Sequence, residues 1–125
     1  MSIPVDLGAL RDEVAAHERP AYVVTAGREG APHLVATYLT WSDGAFVAGC
    51  GGTTARNLAD RPDVSVVVPP DEAGGYSLIF DALGEVVEGE ERTVRLVPVR
   101  AVLHRPAAGE GDAGGCGHDC APLGG

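Results

Sequence analysis

The sequence has no lysine. All nine of its basic residues are arginine, set against eighteen acids, for a formal net charge of −9. That balance excludes a binder of phosphate backbones, which needs a basic face. It speaks equally against an anionic membrane surface. Neither nucleic acid nor a membrane is therefore expected as a partner. Aromatic residues are scarce at 5%, so a core has to be built from Val, Leu and Ala. No apolar run approaches the roughly 20 residues of a spanning helix. Met1 to Leu10 lacks a basic region followed by an apolar one, and no signal peptide is expected there. Cysteine is sparse too. The three present are an odd number, with Cys50 far from the other two. This suits a reducing cytoplasm better than a disulfide framework.

What remains is a chain of 125 residues, 45% of them hydrophobic. That is the size of one domain. The apolar residues crowd into short alternating runs, which favours strands. Val5 to His17 reads as a short helix, with Asp6 at its start and Leu7, Leu10 and Val14 at helical spacing. Strands are expected at Ala21–Ala26, His33–Trp41, Ala45–Cys50, Asp63–Val68, Tyr76–Val87 and Thr93–Leu103. Turn chemistry separates them at Gly27–Pro32 and Ser42–Gly44. A second short helix is expected over Thr54–Asp60, stopped by Pro62. Pro98 must sit at an edge or a bulge of the last strand. Six strands with short connections and few helices predict an antiparallel barrel whose ends the helices close.

Before the second helix stands Gly49-Cys-Gly-Gly-Thr-Thr-Ala-Arg-Asn-Leu58. A helix start leaves backbone N–H groups unpaired and carries partial positive charge. Glycines let an anion approach that backbone. Thr53 and Thr54 add hydroxyls, and Arg56 adds a planar fork suited to phosphate. A phosphorylated small molecule fits this chemistry. The plainer alternative is a loop in which Thr53 caps the helix and Arg56 is solvated.

Three features in order carry a family resemblance. Gly30-Ala-Pro-His33 opens the second strand. Arg56-Asn-Leu58 is followed by Arg61-Pro-Asp-Val64. A strand with an acidic end, Gly84-Glu-Val-Val-Glu88, comes next. Together they resemble the pyridoxamine 5′-phosphate oxidase-like, FMN-binding split-barrel family, over Leu10 to about Arg105. The resemblance implies a six-stranded antiparallel Greek-key split β-barrel spanning residues 1–105, forming a homodimer with the flavin in a groove between subunits. It implies an oxidoreductase acting on a small-molecule substrate. It puts Thr53, Thr54, Arg56 and Asn57 near the cofactor phosphate and His33, Val35 and Thr37 beside the ring. His33 is the candidate catalytic group, because histidine exchanges protons near neutral pH. Tyr38 and Trp41 are candidates either for ring stacking or for core contacts.

The sequence also departs from that pattern. Thr54 stands where many members carry lysine. The arginine of true pyridoxamine phosphate oxidases is missing from the second strand, as is their Arg- and Trp-containing last segment. Ala82-Leu83 replaces a frequent Gly-Thr. A true pyridoxamine phosphate oxidase is therefore not expected. FMN is the expected cofactor, with deazaflavin and haem as alternatives, and a non-catalytic cofactor-binding module is the alternative function.

From Pro106 the chain is rich in Gly, Ala and acids without periodicity, and reads as a mobile tail to Gly125. Cys116, His118 and Cys120 within it are ligand types for zinc, although two-residue spacing differs from a zinc knuckle. A Cys116–Cys120 disulfide and two free thiols are the alternatives. A tail that brings His104 or His118 to a bound cofactor is a further one.

Overall fold

The computed structural model describes residues 1–107. Among these described residues eight strands and two helices follow one another. The strands are β1 (Ser2–Val5), β2 (Ala21–Ala26), β3 (Pro32–Thr37), β4 (Thr40–Ser42), β5 (Ala45–Gly49), β6 (Asp63–Val68), β7 (Ser77–Val87) and β8 (Thr93–His104). The helices are α1 (Leu7–His17) and α2 (Gly52–Asp60). All pairings are antiparallel, in the order β3-β2-β6-β7-β8-β5-β4, with β1 added on β8. The sheet curls into a split barrel whose end strands are β3 and β4.

The alternation of each strand decides its two faces. Val64, Val66 and Val68 of β6 point inward, level with Ala82, Phe80 and Leu78 of β7. Val23 of β2 and Leu96 of β8 join them in one core. The two phenylalanines lie at its centre, with ring centroids 5.3 Å apart, and Trp41 meets Phe46 edge-on at 4.8 Å. Trp41 is thus a core contact. Each fully buried Val, Leu or Phe contributes roughly 1.5–3 kcal/mol by leaving water, so a few large side chains offset the shortage of aromatics. Leu10 of α1 and Leu58 of α2 enter the same core from the helices.

β8 holds the sheet together. One edge pairs with β7 along its whole length. The other edge is divided: Thr93–Leu96 pair with β5, and Ala101–His104 pair with β1. Between them the β7 register shifts, from Asp81↔Arg100 to Ala82↔Pro98. Val99 is the extra residue of this bulge. Pro98, which has no N–H to give, therefore sits at an irregularity, as expected.

The strand count of six is corrected to eight. The expected His33–Trp41 strand is two strands, because β2 begins only at Ala21, after Pro20, and its pairing with β3 ends at Thr37. The chain then changes partner, and β4 pairs with β5. β1 takes Val5, which the sequence assigned to the first helix, together with Ser2–Pro4, which it assigned to no element; the helix itself begins at Leu7. The second helix starts two residues earlier than expected, with Gly51 rather than Thr53 at its N-cap. Asp6 does occupy the N-cap of α1, but makes no side-chain cap bond.

Candidate functional site

The start of α2 is open. Ala55 N–H donates to the Gly51 carbonyl at 3.0 Å. The preceding amides, of Gly52, Thr53 and Thr54, come before the first bond of the helix ladder. No side chain caps them. Arg56, one turn on, folds back so that Nη2 donates to Thr53 Oγ1 at 3.2 Å. Its Nη1 would stand 3.6 Å from a Cβ at position 52. Thr53 and Arg56 are both exposed. Together they put a hydroxyl and a guanidinium beside unpaired amides, a constellation that can receive an anion.

Thr54 and Asn57 face the other way. They are 4% and 8% exposed. Asn57 Nδ2 donates to Thr25 Oγ1 on β2 at 3.0 Å, and Thr25 is itself buried. A Cβ at position 27 would come within 3.1 Å of Asn57 Oδ1, so Gly27 gives the amide its room. The Arg-Asn-Leu segment thus divides by helix geometry. Arg56 points to solvent, while Asn57 and Leu58 tie α2 to the sheet.

The β3 residues assigned to the ring wall also turn inward. His33, Val35 and Thr37 lie opposite Thr25, Val23 and Ala21, on the core-facing side. All three are half-buried, and Val35 packs against the core. The outward residues of β3 are Pro32, Leu34 and Ala36, with Tyr38 following at 71% exposure.

A groove of about 530 Å³ lies along the sheet, bounded by β2, β6, β7 and the β8 bulge. Val24, Ala26, Pro32, Leu83 and Val99 are its apolar walls. Asp63, Ser65 and Asp81 are among its polar groups. No residue of α2 lines it, and neither does His33. Ser65 Oγ donates to Asp81 Oδ1 at 3.2 Å, and Arg100 Nη2 donates to Asp81 Oδ2 at 2.9 Å. Sequence reasoning missed this network because it spans three strands. One signal was present: Asp81 interrupts the apolar run Leu78-Ile-Phe-Asp-Ala-Leu83. Around the groove the same outer face exposes Leu34, Leu83, Val97 and Val99, between 44% and 59%.

Cys50 is half-buried after β5, packed on the core, and its thiol donates to the Gly51 carbonyl at 3.5 Å. Burial pushes its pKa up from 9.0, while Arg92 pulls the other way. His104 Nδ1 and Ser2 Oγ are hydrogen-bonded at 3.0 Å. Cys116, His118 and Cys120 lie outside the described residues. Among the described residues no cluster of metal-ligating side chains occurs, and no helix is long and apolar enough to cross a membrane.

No protein-family profile matches the chain. Uncharacterised proteins of Mycobacterium bovis and Mycobacterium tuberculosis are 43% identical to it over 76 residues, 56% of this chain and 54% of theirs. The chain thus spans about half the length of these curated relatives. Solved structures share the fold. HutZ, the haem storage protein from Vibrio cholerae, superposes with a TM-score of 0.62 at 17% identity, over 78% of this chain and 94% of that one. A FAD-binding protein from Mesorhizobium loti gives 0.64 at 16%, over 82% and 94%. An F420 reductase gives 0.57 at 17%, over 70% and 93%. The molecule is therefore an antiparallel split barrel. Its fold is that of the pyridoxamine 5′-phosphate oxidase-like proteins, as the sequence resemblance implied.

Proposed function

We propose that the chain forms a homodimer that binds FMN, or a related deazaflavin, and serves as an oxidoreductase for a small-molecule substrate other than pyridoxamine phosphate. The observation that carries this reading is the apolar-walled groove of about 530 Å³ on the outer sheet face. It is the size of a small-ligand site, on a fold shared with a FAD-binding protein and an F420 reductase. Val24, Leu83 and Val99 would hold the ring and exclude water. Thr53, Arg56 and the first α2 amides would hold the phosphate, with Thr54 and Asn57 supporting them from inside. A flavin supplies hydride or electron transfer, and the protein contributes position and local field.

Charge favours this division of labour. Asp63 and Asp81 line the groove and repel a phosphate there, whereas the α2 start attracts one. No α2 residue lines the groove, so the proposal is a composite site joined across two copies. The exposed Leu34, Leu83, Val97 and Val99 supply apolar area for that contact.

A second reading is a carrier that stores a flavin, deazaflavin or haem without turnover. It is favoured by the inward turn of His33, which takes the candidate proton donor away from the groove. Absorbance and titration of purified protein test both readings. Binding of FMN with turnover on a nicotinamide donor supports the first, and binding without turnover supports the second. Failure to bind FMN, deazaflavin and haem refutes both. Arg56→Ala should weaken FMN binding about tenfold, the lower end for a charge-assisted hydrogen bond because the guanidinium is exposed. Riboflavin, which has no phosphate, should bind the variant and the wild type alike. An unchanged FMN affinity would remove Arg56 from the site.

A further inference from the structure

We infer that Asp81 and Arg100, steadied by Ser65, recognise the cyclic imide edge of a flavin or deazaflavin ring, an N–H flanked by carbonyls. The inference rests on the reading of the outer groove as a ring site. Asp81 lines that groove together with Ser65. Arg100 stands on the neighbouring strand and borders a smaller hollow of about 70 Å³ that Asp81 also lines.

The hydrogen-bond capacity of the network is only partly used. An ionised carboxylate offers about four lone-pair sites, and a guanidinium offers five N–H donors. Asp81 accepts one bond on each oxygen, from Ser65 and from Arg100. Acceptor sites on Asp81 and donors on Arg100 thus remain side by side. An acceptor next to a donor is the complement of an N–H next to a C=O. Among the cofactors bound by proteins that share this fold, flavin and deazaflavin rings carry that pattern on one edge, and haem does not.

The placement is specific as well. Ser65, Asp81 and Arg100 are in register across β6, β7 and β8. Their outward neighbours in those strands are apolar at Val67, Ile79, Leu83 and Val102, and acidic at Asp63 beside Ser65. The bulge at Val99 falls beside Arg100, and Val99 itself lines the groove. A polar stripe across an apolar face fixes the orientation of a ligand rather than its bulk affinity.

The same charges select against other occupants. Haem carries two carboxylates and has no imide edge. Two groove carboxylates, Asp63 and Asp81, meet those propionates with like charge. The site therefore takes an imide-bearing tricyclic ring in preference to haem.

The probes are FMN and its N3-methyl derivative, titrated into the full chain and into Asp81→Ala by fluorescence quenching, with haem in parallel. Wild type should prefer FMN over the N3-methyl derivative by about tenfold or more, since a site built to bond an N–H rejects the analogue lacking it. Asp81→Ala should bind the two flavins alike and bind haem no worse than wild type. Asp81 is 40% exposed on its side chain, and an unchanged melting midpoint checks that the variant folds. Arg100→Gln, at a side chain 77% exposed, is the second variant and should reduce the same preference. FMN bound with an equal N3-methyl penalty in wild type and Asp81→Ala overturns the imide assignment alone. No FMN bound by wild type overturns the ring-site reading and this inference with it. A variant that keeps the penalty but changes oligomeric state makes Asp81–Arg100 a subunit contact and overturns the assignment too.

Discussion

Replacing Asn57 by alanine should destabilise the fold, although the sequence assigns Asn57 to a cofactor. The magnitude follows from its surroundings. The side chain makes one hydrogen bond, to Thr25 Oγ1 at 3.0 Å, and Thr25 is 2% exposed. Alanine removes that bond and leaves a buried hydroxyl without its partner. A lost bond of about 1 kcal/mol and a desolvation penalty of similar size give about 2 kcal/mol in all. For a domain of this size, that lowers the melting midpoint by about 8 °C. Circular dichroism during heating and in urea measures it. Thr25→Val should cost about as much, because it strands the Asn57 amide instead. The double variant should cost clearly less than the sum, with a coupling of at least about 1 kcal/mol, since no polar group is then left unpaired. An Asn57→Ala protein that melts within about 2 °C of wild type, yet no longer retains FMN, would refute the reasoning. Asn57 would then be a ligand group rather than a clamp between α2 and β2.

Two further outcomes test the packing and the thiol. Gly84→Ala places a Cβ 3.0 Å from both Leu58 Cδ2 and Val64 Cγ2; the overpacking should cost about 1–3 kcal/mol in urea unfolding, and a neutral result would show that α2 yields without strain. Burial raises the Cys50 pKa above 9.0, so in a Cys116→Ser, Cys120→Ser background its alkylation by iodoacetamide should be slow at neutral pH. The rate should still be climbing beyond pH 9.0, and a plateau below that pH would contradict the assigned environment.

β2 and β6 were legible to the residue, because short valine-rich runs are bounded by Pro20 and Gly27 in one case and by Pro62 and Pro69 in the other, although the run in β6 suggested full burial and only one of its faces is buried. The bulge next to Pro98 was legible for the same local reason, a missing N–H. β1 was not, since a four-residue edge strand is held by β8 about a hundred positions away, and nothing in Ser2–Val5 announces its partner. The open start of α2 could be read from its glycines and threonines. The direction of each side chain could not, because Thr54 and Asn57 look like surface residues until the helix is docked on β2. On β3 the phase was hidden by mixed chemistry: histidine and threonine occupy inward positions while Leu34 lies outward. The groove was invisible, as its polar stripe draws one residue from each of three strands and only Asp81 leaves a mark in its own segment.

The divided edge of β8 has a consequence for how the molecule is made. β7, β5 and β1 all wait for Thr93–His104. A nascent chain emerging at about 5–20 residues per second has all seven earlier strands made before this hub exists, including the outward leucines and valines. Closing so long a loop adds little free energy, because that term grows only with the logarithm of length. It does add delay, since non-local pairing is slow. A ribosome stalled before β8 therefore holds a β3-β2-β6-β7 sheet and a separate β4-β5 hairpin that cannot join it, and the barrel closes only once β8 has been released.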